Sequence, residues 1–290
     1  MPAFNRATTV ARAVESILGQ TLTDLELILS DNASTDGTEA ICRRYADRDA
    51  RIRYTRQPTT IGAFENFAFV LGAAKAPLFM WLSADDYALP RLLERAAAVL
   101  DAKPDVVCCV PRVEFFSLDG RRWPSSGTFP LLDSVRANVH TFLHDPRDNS
   151  RFYGLYRRTV LQQVSPATGY YAVDWTVAAA TLAHGRHWEL DDVLLVREAS
   201  EPARYMRLID ESFPGRPSRL FPLLPFTRTV LFGGLGLPLT VRTLWLLLRL
   251  NVILHVMYCR RRFPRYSGVV ERLGIALDRL TGRLSGTPGR

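Results

Sequence analysis

Between Leu25 and Phe116, short apolar runs alternate with helix-like stretches so regularly that few architectures remain open. Leu25 to Ser30, Arg51 to Thr55 and Leu78 to Leu82 read as strands, while Asp36 to Tyr45, Ala63 to Ala74 and Pro90 to Asp101 read as helices. Such a succession packs helices over a mainly parallel sheet, so the fold class is α/β and Rossmann-like. Val106 to Phe116 adds a longer β-rich run, and Asp119-Gly120 signals a hairpin or a sheet turning over. The alternation stops there. Residues 124–151 are rich in Ser, Pro, Asp and Asn, with a helix near Asp133 to Phe142, and are long enough for a binding loop or lid. Phe152 to Tyr156 then reads as a strand, Trp175 to Ala183 as a helix starting just after Asp174, and His187 to Val196 as a strand.

At 290 residues the chain can bury one full α/β core plus an appendage. Charge separates the two parts. The net charge is +8, yet residues 204–290 hold 15 Arg and no Lys against 4 acids, an excess of +11 that leaves residues 1–203 at −3. An Arg-rich tail with Trp245, Phe263 and many Leu suits anionic lipid headgroups; the alternative is that its Leu-rich faces pack on the rest of the chain. Nucleic acid is the rival partner for the charge, but no nucleic-acid-binding motif accompanies it. Leu223 to Val241 carries Arg228, Pro225 and Pro238, and Thr243 to Cys259 is interrupted by Arg249, Asn251 and His255, so neither reads as a membrane span. The first twenty residues lack an apolar signal-peptide core, and Cys42, Cys108, Cys109 and Cys259 show no disulfide or zinc spacing. The cytoplasmic side of a membrane fits both facts.

Two strand ends carry acids. In Trp81-Leu82-Ser83-Ala84-Asp85-Asp86-Tyr87-Ala88-Leu89-Pro90 an apolar strand ends in adjacent carboxylates, which can serve one ligand only if the chain turns there. Ligands of open α/β sheets bind at the carboxyl ends of strands, and hard oxygen donors suit Mg²⁺ or Mn²⁺. The bland alternative is that Asp86 caps the next helix or that both acids are simply solvated. Leu27-Ile28-Leu29-Ser30-Asp31-Asn32-Ala33-Ser34-Thr35-Asp36 repeats the theme: Asp31 can accept from a ribose or base, or can close an Asx-turn, and Thr35 or Asp36 can cap the helix that follows. Arg56 suits a diphosphate, and Gly62 to Asn66 is a Gly-containing turn opening a helix. No GxGxxG run is present, which argues against NAD or FAD.

In this order the motifs resemble the family 2 glycosyltransferases, which have the GT-A fold. The resemblance runs through Pro2 to Asn5, Ser16 to Thr21, Asp31 to Thr38, Gly62 to Asn66 and Ser83 to Pro90, and more weakly through Tyr153 to Arg158 and Asp174-Trp175. It implies a catalytic domain over residues 1–203, with a nucleotide-binding half (1–110) and an acceptor-binding half (111–203), followed by a helical basic tail (204–290). It further implies an inverting, metal-dependent transfer from a nucleotide-diphosphate sugar to a glycan or lipid-linked acceptor, in cell-envelope or exopolysaccharide synthesis. By resemblance Pro2, Phe4, Asn5, Asp31, Arg56, Gly62, Asn66 and Asp85 bind the donor. Asp86, with Asp85, holds Mn²⁺ or Mg²⁺, Asp86 being the direct ligand, and Asp174 is the general base. On this reading Asp86→Ala abolishes transfer and leaves the fold intact.

The chain departs from the family pattern in three places. The family's apolar first strand is missing before Pro2, which points to a truncated copy or a start placed too far downstream and leaves Leu25 to Ser30 with an unpaired edge. Val173-Asp174 stands where an acid pair is common, and Arg197-Glu198-Ala199 stands where many relatives have Arg-x-His. These departures keep a non-catalytic, nucleotide-sugar or membrane-binding member open as an alternative. A nucleotidyltransferase is a weaker one, because the Lys-bearing phosphate loop it needs is absent.

Overall fold

The computed structural model of the protein describes residues 1–166, 168–199, 221–237 and 239–262. The boundary expected between residues 203 and 204, and everything after Arg262, lie outside the described residues. The chain opens with β1 (Pro2–Ala3), α1 (Val10–Leu18), β2 (Leu27–Asp31), α2 (Thr38–Ala46) and β3 (Ile52–Arg56). The strands form a parallel sheet in the order β1-β2-β3. Sequence reading passed over α1, although Val10, Ala13, Val14 and Ile17 recur at helical spacing and are all buried. The region of the expected missing strand holds a short one: Pro2 pairs with Ser30 and Ala3 with Asp31. Met1 N donates to Ile28 O, and Asn32 N donates to Ala3 O. Pairing on that edge of β2 therefore spans Ile28 to Asn32, and the edge expected to be bare is closed there.

Next come α3 (Ala63–Ala73), β4 (Leu78–Phe79), β5 (Tyr87–Ala88), α4 (Leu92–Ala102), β6 (Val106–Phe116) and β7 (Arg122–Pro124). They are followed by α5 (Val135–His144), a 3-10 turn (Ser150–Tyr153), β8 (Leu155–Arg157), α6 (Arg158–Val164), α7 (Val173–Thr181) and β9 (Arg186–Glu198). The second sheet runs β4-β8-β6-β9-β5, with β7 also on β6. β6 and β9 pair in parallel along their length, and the other pairs are antiparallel. The Asp119-Gly120 signal is realised as the β6–β7 hairpin, Gly120 taking a left-handed φ of 86°. The strand expected over Leu78 to Leu82 pairs only at its first two residues. Beyond them the chain stays buried, and Trp81 stacks on Phe152 with ring centroids 4.5 Å apart.

One apolar cluster lies between the first sheet and α1, α2 and α4, and includes Val14, Leu29, Leu92 and Leu195. A second, on α3, β6 and β8, is built around Trp81, Phe152 and Tyr156. Gly154 sits where β8 meets β6 so closely that a Cβ would stand 2.7 Å from Cys108 Sγ. The tail helices α8 (Leu224–Phe232) and α9 (Val241–Arg262) pack Phe226, Val230, Leu246, Leu247 and Leu250 against Val139, Phe142, Ala178 and Leu182. One Leu-rich face of the tail is thus part of the core. Among the described residues no helix is long and apolar enough to cross a membrane.

Candidate active site

The end of β2 and the N-terminal segment are locked together. Asn5, in a left-handed conformation with φ 50°, accepts from Thr35 N through Oδ1 at 2.9 Å, and its own N–H donates to Ser34 Oγ. Ala33 is left-handed too, with φ 56°. Asp31 is fully buried: Oδ1 accepts from Ser34 N at 3.0 Å, and Oδ2 faces the Tyr54 hydroxyl at 3.3 Å and Arg56 Nε at 3.6 Å. The turn-closing alternative is therefore realised on one oxygen, while the other faces a phenol and a cation. Asp36 precedes α2 and accepts from Thr38 N, so it does the capping although Gly37 is the terminal residue. Phe4 is exposed, and its carbonyl accepts from Arg6 Nη1 at 3.4 Å.

The required turn is present between Ser83 and Asp86, where Asp86 N donates to Ser83 O. It is pinned from α1 by Thr9 Oγ1 to Ala84 O at 2.8 Å and by Arg12 Nη2 to Asp85 O at 2.9 Å. The two carboxylates diverge. Asp85, half-buried, pairs with Arg6 Nε at 3.1 Å. Asp86 is 1% exposed; Oδ2 accepts from Arg197 Nε at 3.1 Å and Oδ1 from Glu198 N at 2.9 Å. Burial pushes the Asp86 carboxyl up to about 6, against the opposing pull of Arg197.

Arg197 is the residue that sequence reading undervalued. Its guanidinium lies 3.9 Å over the Tyr153 ring and reaches Ser150 Oγ at 3.3 Å while holding Asp86. Its position at the end of β9, paired with Phe115 of β6, was the available signal. Burial raises the Tyr153 phenol to about 12; Arg197 opposes the rise, and Asp86, Asp85 and Asp174 add to it. Asn149, the residue before Ser150, donates from Nδ2 to Asp174 Oδ2 at 2.9 Å.

Asp174 is the second residue of α7 rather than its cap. The cap position is Ala172, left-handed at φ 62°. Burial lifts the Asp174 carboxyl above the ordinary carboxylate range, while the Asn149 hydrogen bond and the Trp175 N–H pull it back. An acid acting as a base must be ionised, so a raised value moves the acid limb of a rate profile to higher pH. Asn149→Gly deletes the donor and suits the left-handed φ of 48° at this position, so the limb is expected to shift further upward. A kcat/KM profile measured from pH 4 to 8 checks this, and an unmoved limb contradicts it.

Left-handed non-glycine residues thus flank both acids, Asn5 and Ala33 at one end and Asn149 and Ala172 at the other. Such strain of about 1 kcal/mol or more persists where the surroundings fix it, often at functional sites. Ala172→Gly is expected to raise stability by about 1 kcal/mol without raising turnover, as read by thermal melting. A lowered Tm would show that Ala172 is not strained.

Of the expected donor residues, Asn66 is buried and Gly62 is exposed. Asn66 is 1% exposed and spends its amide on Ser30, donating to its carbonyl at 3.1 Å and accepting from its hydroxyl at 2.6 Å. Gly62 begins α3 under the Glu65 carboxylate. Pro2 is buried in the ladder, and Arg56 bridges Asp31, Glu39 and Ser34 O. Among the described residues no three His, Cys, Asp or Glu side chains gather as a metal nest. Mg²⁺ and Mn²⁺ need fewer, being held by one or two carboxylates plus phosphate oxygens. Asp85, paired with Arg6, and Asp86, whose oxygens accept from Arg197 and Glu198 N, are carboxylates of that kind.

The α/β fold carries Asp31 at the end of β2, Asp85 and Asp86 in the turn before β5 and Asp174 in the first turn of α7, and sequence comparison gives its family. Residues 1–165 match Glycosyl transferase family 2, and the chain belongs to that family. It is 35% identical over 102 residues to EpsE of Bacillus subtilis (strain 168), covering 35% of this chain and 37% of that one. It is 30% identical over 94 residues to glycosyltransferase GlyG of Streptococcus pneumoniae, covering 32% and 31%. The matches thus span about a third of these relatives' length. In fold it is similar to S. aureus TarS 1-349 solved with UDP-GlcNAc, with a TM-score of 0.54 at 16% identity over 100% of this chain and 91% of that one.

Proposed function

We propose that this chain is an inverting glycosyltransferase that moves a sugar from a nucleotide-diphosphate sugar to a hydroxyl of a glycan or lipid-linked acceptor. Residues 1–203 form the catalytic domain and 204–290 a tail that places it at the inner face of a membrane. The observation that carries the reading is Arg197, which ties Asp86 to Ser150 and Tyr153 and so brings the Asp85–Asp86 turn beside Asp174. A likeness over 95 residues to a protein named chondroitin synthase, 35% identical there, supports polysaccharide or cell-envelope assembly as the setting.

Pro2, Phe4, Asn5 and Asp31 line the nucleotide pocket, and Arg56 and Arg6 face its phosphates. Asp85 would hold Mn²⁺ or Mg²⁺, with Asp86 fixing the turn that presents it. The ion would supply positive charge against the departing nucleoside diphosphate. Asp174 takes the proton of the acceptor hydroxyl as that oxygen attacks the anomeric carbon from the face opposite the diphosphate. A single displacement inverts the configuration. Asn149 orients the base, and Arg197 keeps the donor and acceptor sides in register.

Asp85→Asn is the clean test because Asp85 is not the buried partner. A nucleoside diphosphate at about 100 times its Kd stabilises its binder by about 2.7 kcal/mol. Across a panel of such ligands, wild type is expected to show a melting shift that grows with Mn²⁺, and Asp85→Asn to lose the Mn²⁺-dependent part. An undiminished shift in the variant would remove Asp85 from the site.

A further inference from the structure

We propose that α8 and α9 present a cationic, apolar face that docks this protein on an anionic lipid bilayer. The inward faces of both helices are already filled, yet each helix carries a second apolar stripe. On α8, Leu224 and Phe232 are 48% and 80% exposed, with exposed Arg228 midway between them at a spacing of four residues. On α9, Val241, Leu244 and Leu248 are 84%, 51% and 56% exposed and follow one another by three and four residues, so they share a face, with exposed Arg242 beside them. Nothing in the packing of the core accounts for these side chains.

Charge selects the occupant. Among the described residues the exposed faces carry Arg228 and Arg242 and no acid, and the sequence from Ser212 to Val270 holds nine Arg, no Lys and no acid. A second copy of such a face would set arginine against arginine. A nucleic acid would satisfy the arginines but leave five bulky apolar side chains in water. A bilayer with anionic headgroups accepts both at once, the stripes entering the acyl boundary and the guanidinium groups meeting phosphate. Since neither helix can span, the protein lies on the surface. The inference deepens the membrane placement proposed above, rests on it, and is independent of the chemistry of the cleft.

The test is flotation with vesicles of phosphatidylglycerol and phosphatidylcholine in about a 1:2 ratio, against phosphatidylcholine alone, at about 0.15 M and about 1 M salt. Wild type is expected to float with the anionic vesicles at low salt, weakly at high salt, and not with the neutral ones. Leu244→Glu/Leu248→Glu is expected to reduce binding about tenfold or more, and Arg228→Gln/Arg242→Gln severalfold. The arginine pair keeps the test open should the glutamate pair unfold. Absent binding, equal binding to both vesicles, unaffected variants, or a dimer that the glutamate pair dissociates would each overturn the proposal. Nucleoside diphosphate binding, measured on the same samples, separates the two readings. Its loss with vesicle binding retained sinks only the donor assignment, and the reverse sinks only the docking face.

Discussion

Asp174→Asn is expected to lower kcat by about 10²- to 10⁴-fold while nucleoside diphosphate affinity stays within about twofold of wild type. The amide cannot take a proton from the acceptor, but it keeps the shape of the side chain and can still accept from Asn149 Nδ2, which lies 2.9 Å from the native carboxylate. Stability should be unchanged or slightly higher, since burial already disfavours the Asp174 charge. Turnover, donor binding and thermal melting on one preparation separate these effects. Turnover within about threefold of wild type would mean the proton goes elsewhere.

The second large effect is structural. Asp86→Ala removes the carboxylate that accepts from both Arg197 Nε and Glu198 N, in a pair whose side chains are only 2% and 16% exposed. Leaving a buried guanidinium without its partner costs about 3–5 kcal/mol, a fall in Tm on the order of 10 °C. The variant is therefore expected to lose both stability and activity, contrary to the sequence-based expectation of an intact fold. Replacing the pair together, as Asp86→Leu with Arg197→Met, should recover most of the stability, because apolar residues of similar volume tolerate such a site. It should not recover turnover, because nothing would then hold the Asp85 turn against Ser150 and Tyr153. If Asp86→Ala melts like wild type, the ion pair contributes little and Asp86 is free to serve a ligand directly.

Periodicity carried most of the fold. Val106 to Phe116 and Ala63 to Ala74 are long enough for their pattern to outweigh end effects; the strand appears as expected and the helix ends one residue earlier, at Ala73. The stripe of α1 at Val10, Ala13, Val14 and Ile17 is short and half of small residues, so over nine residues it stands out less than the longer helices. Residues 80–82 are apolar enough to suggest strand, but Trp81 is buried in the aromatic cluster and Met80 and Leu82 pack in the core of the first sheet, with no ladder partner. Of the acids that motif order singles out, Asp31 ends β2 and Asp174 lies in the first turn of α7, whereas Asp85 and Asp86 sit in a turn just before β5. Which oxygen faces which partner was not legible. Asp86 and Arg197 are 111 residues apart, and their pairing depends on β5 and β9 lying side by side. Asn149 was equally hidden, because only its left-handed backbone and the placement of the loop aim its amide at Asp174.

The most direct test is a crystal grown with Mn²⁺ and a nucleoside diphosphate, with the metal located by its anomalous signal. The account predicts manganese bonded to an Asp85 oxygen and to the diphosphate, the base beside Phe4 and Asn5, and Asp174 across the cleft from the phosphates. Manganese or nucleotide bound away from Asp85, or a diphosphate with no open path to Asp174, would contradict it.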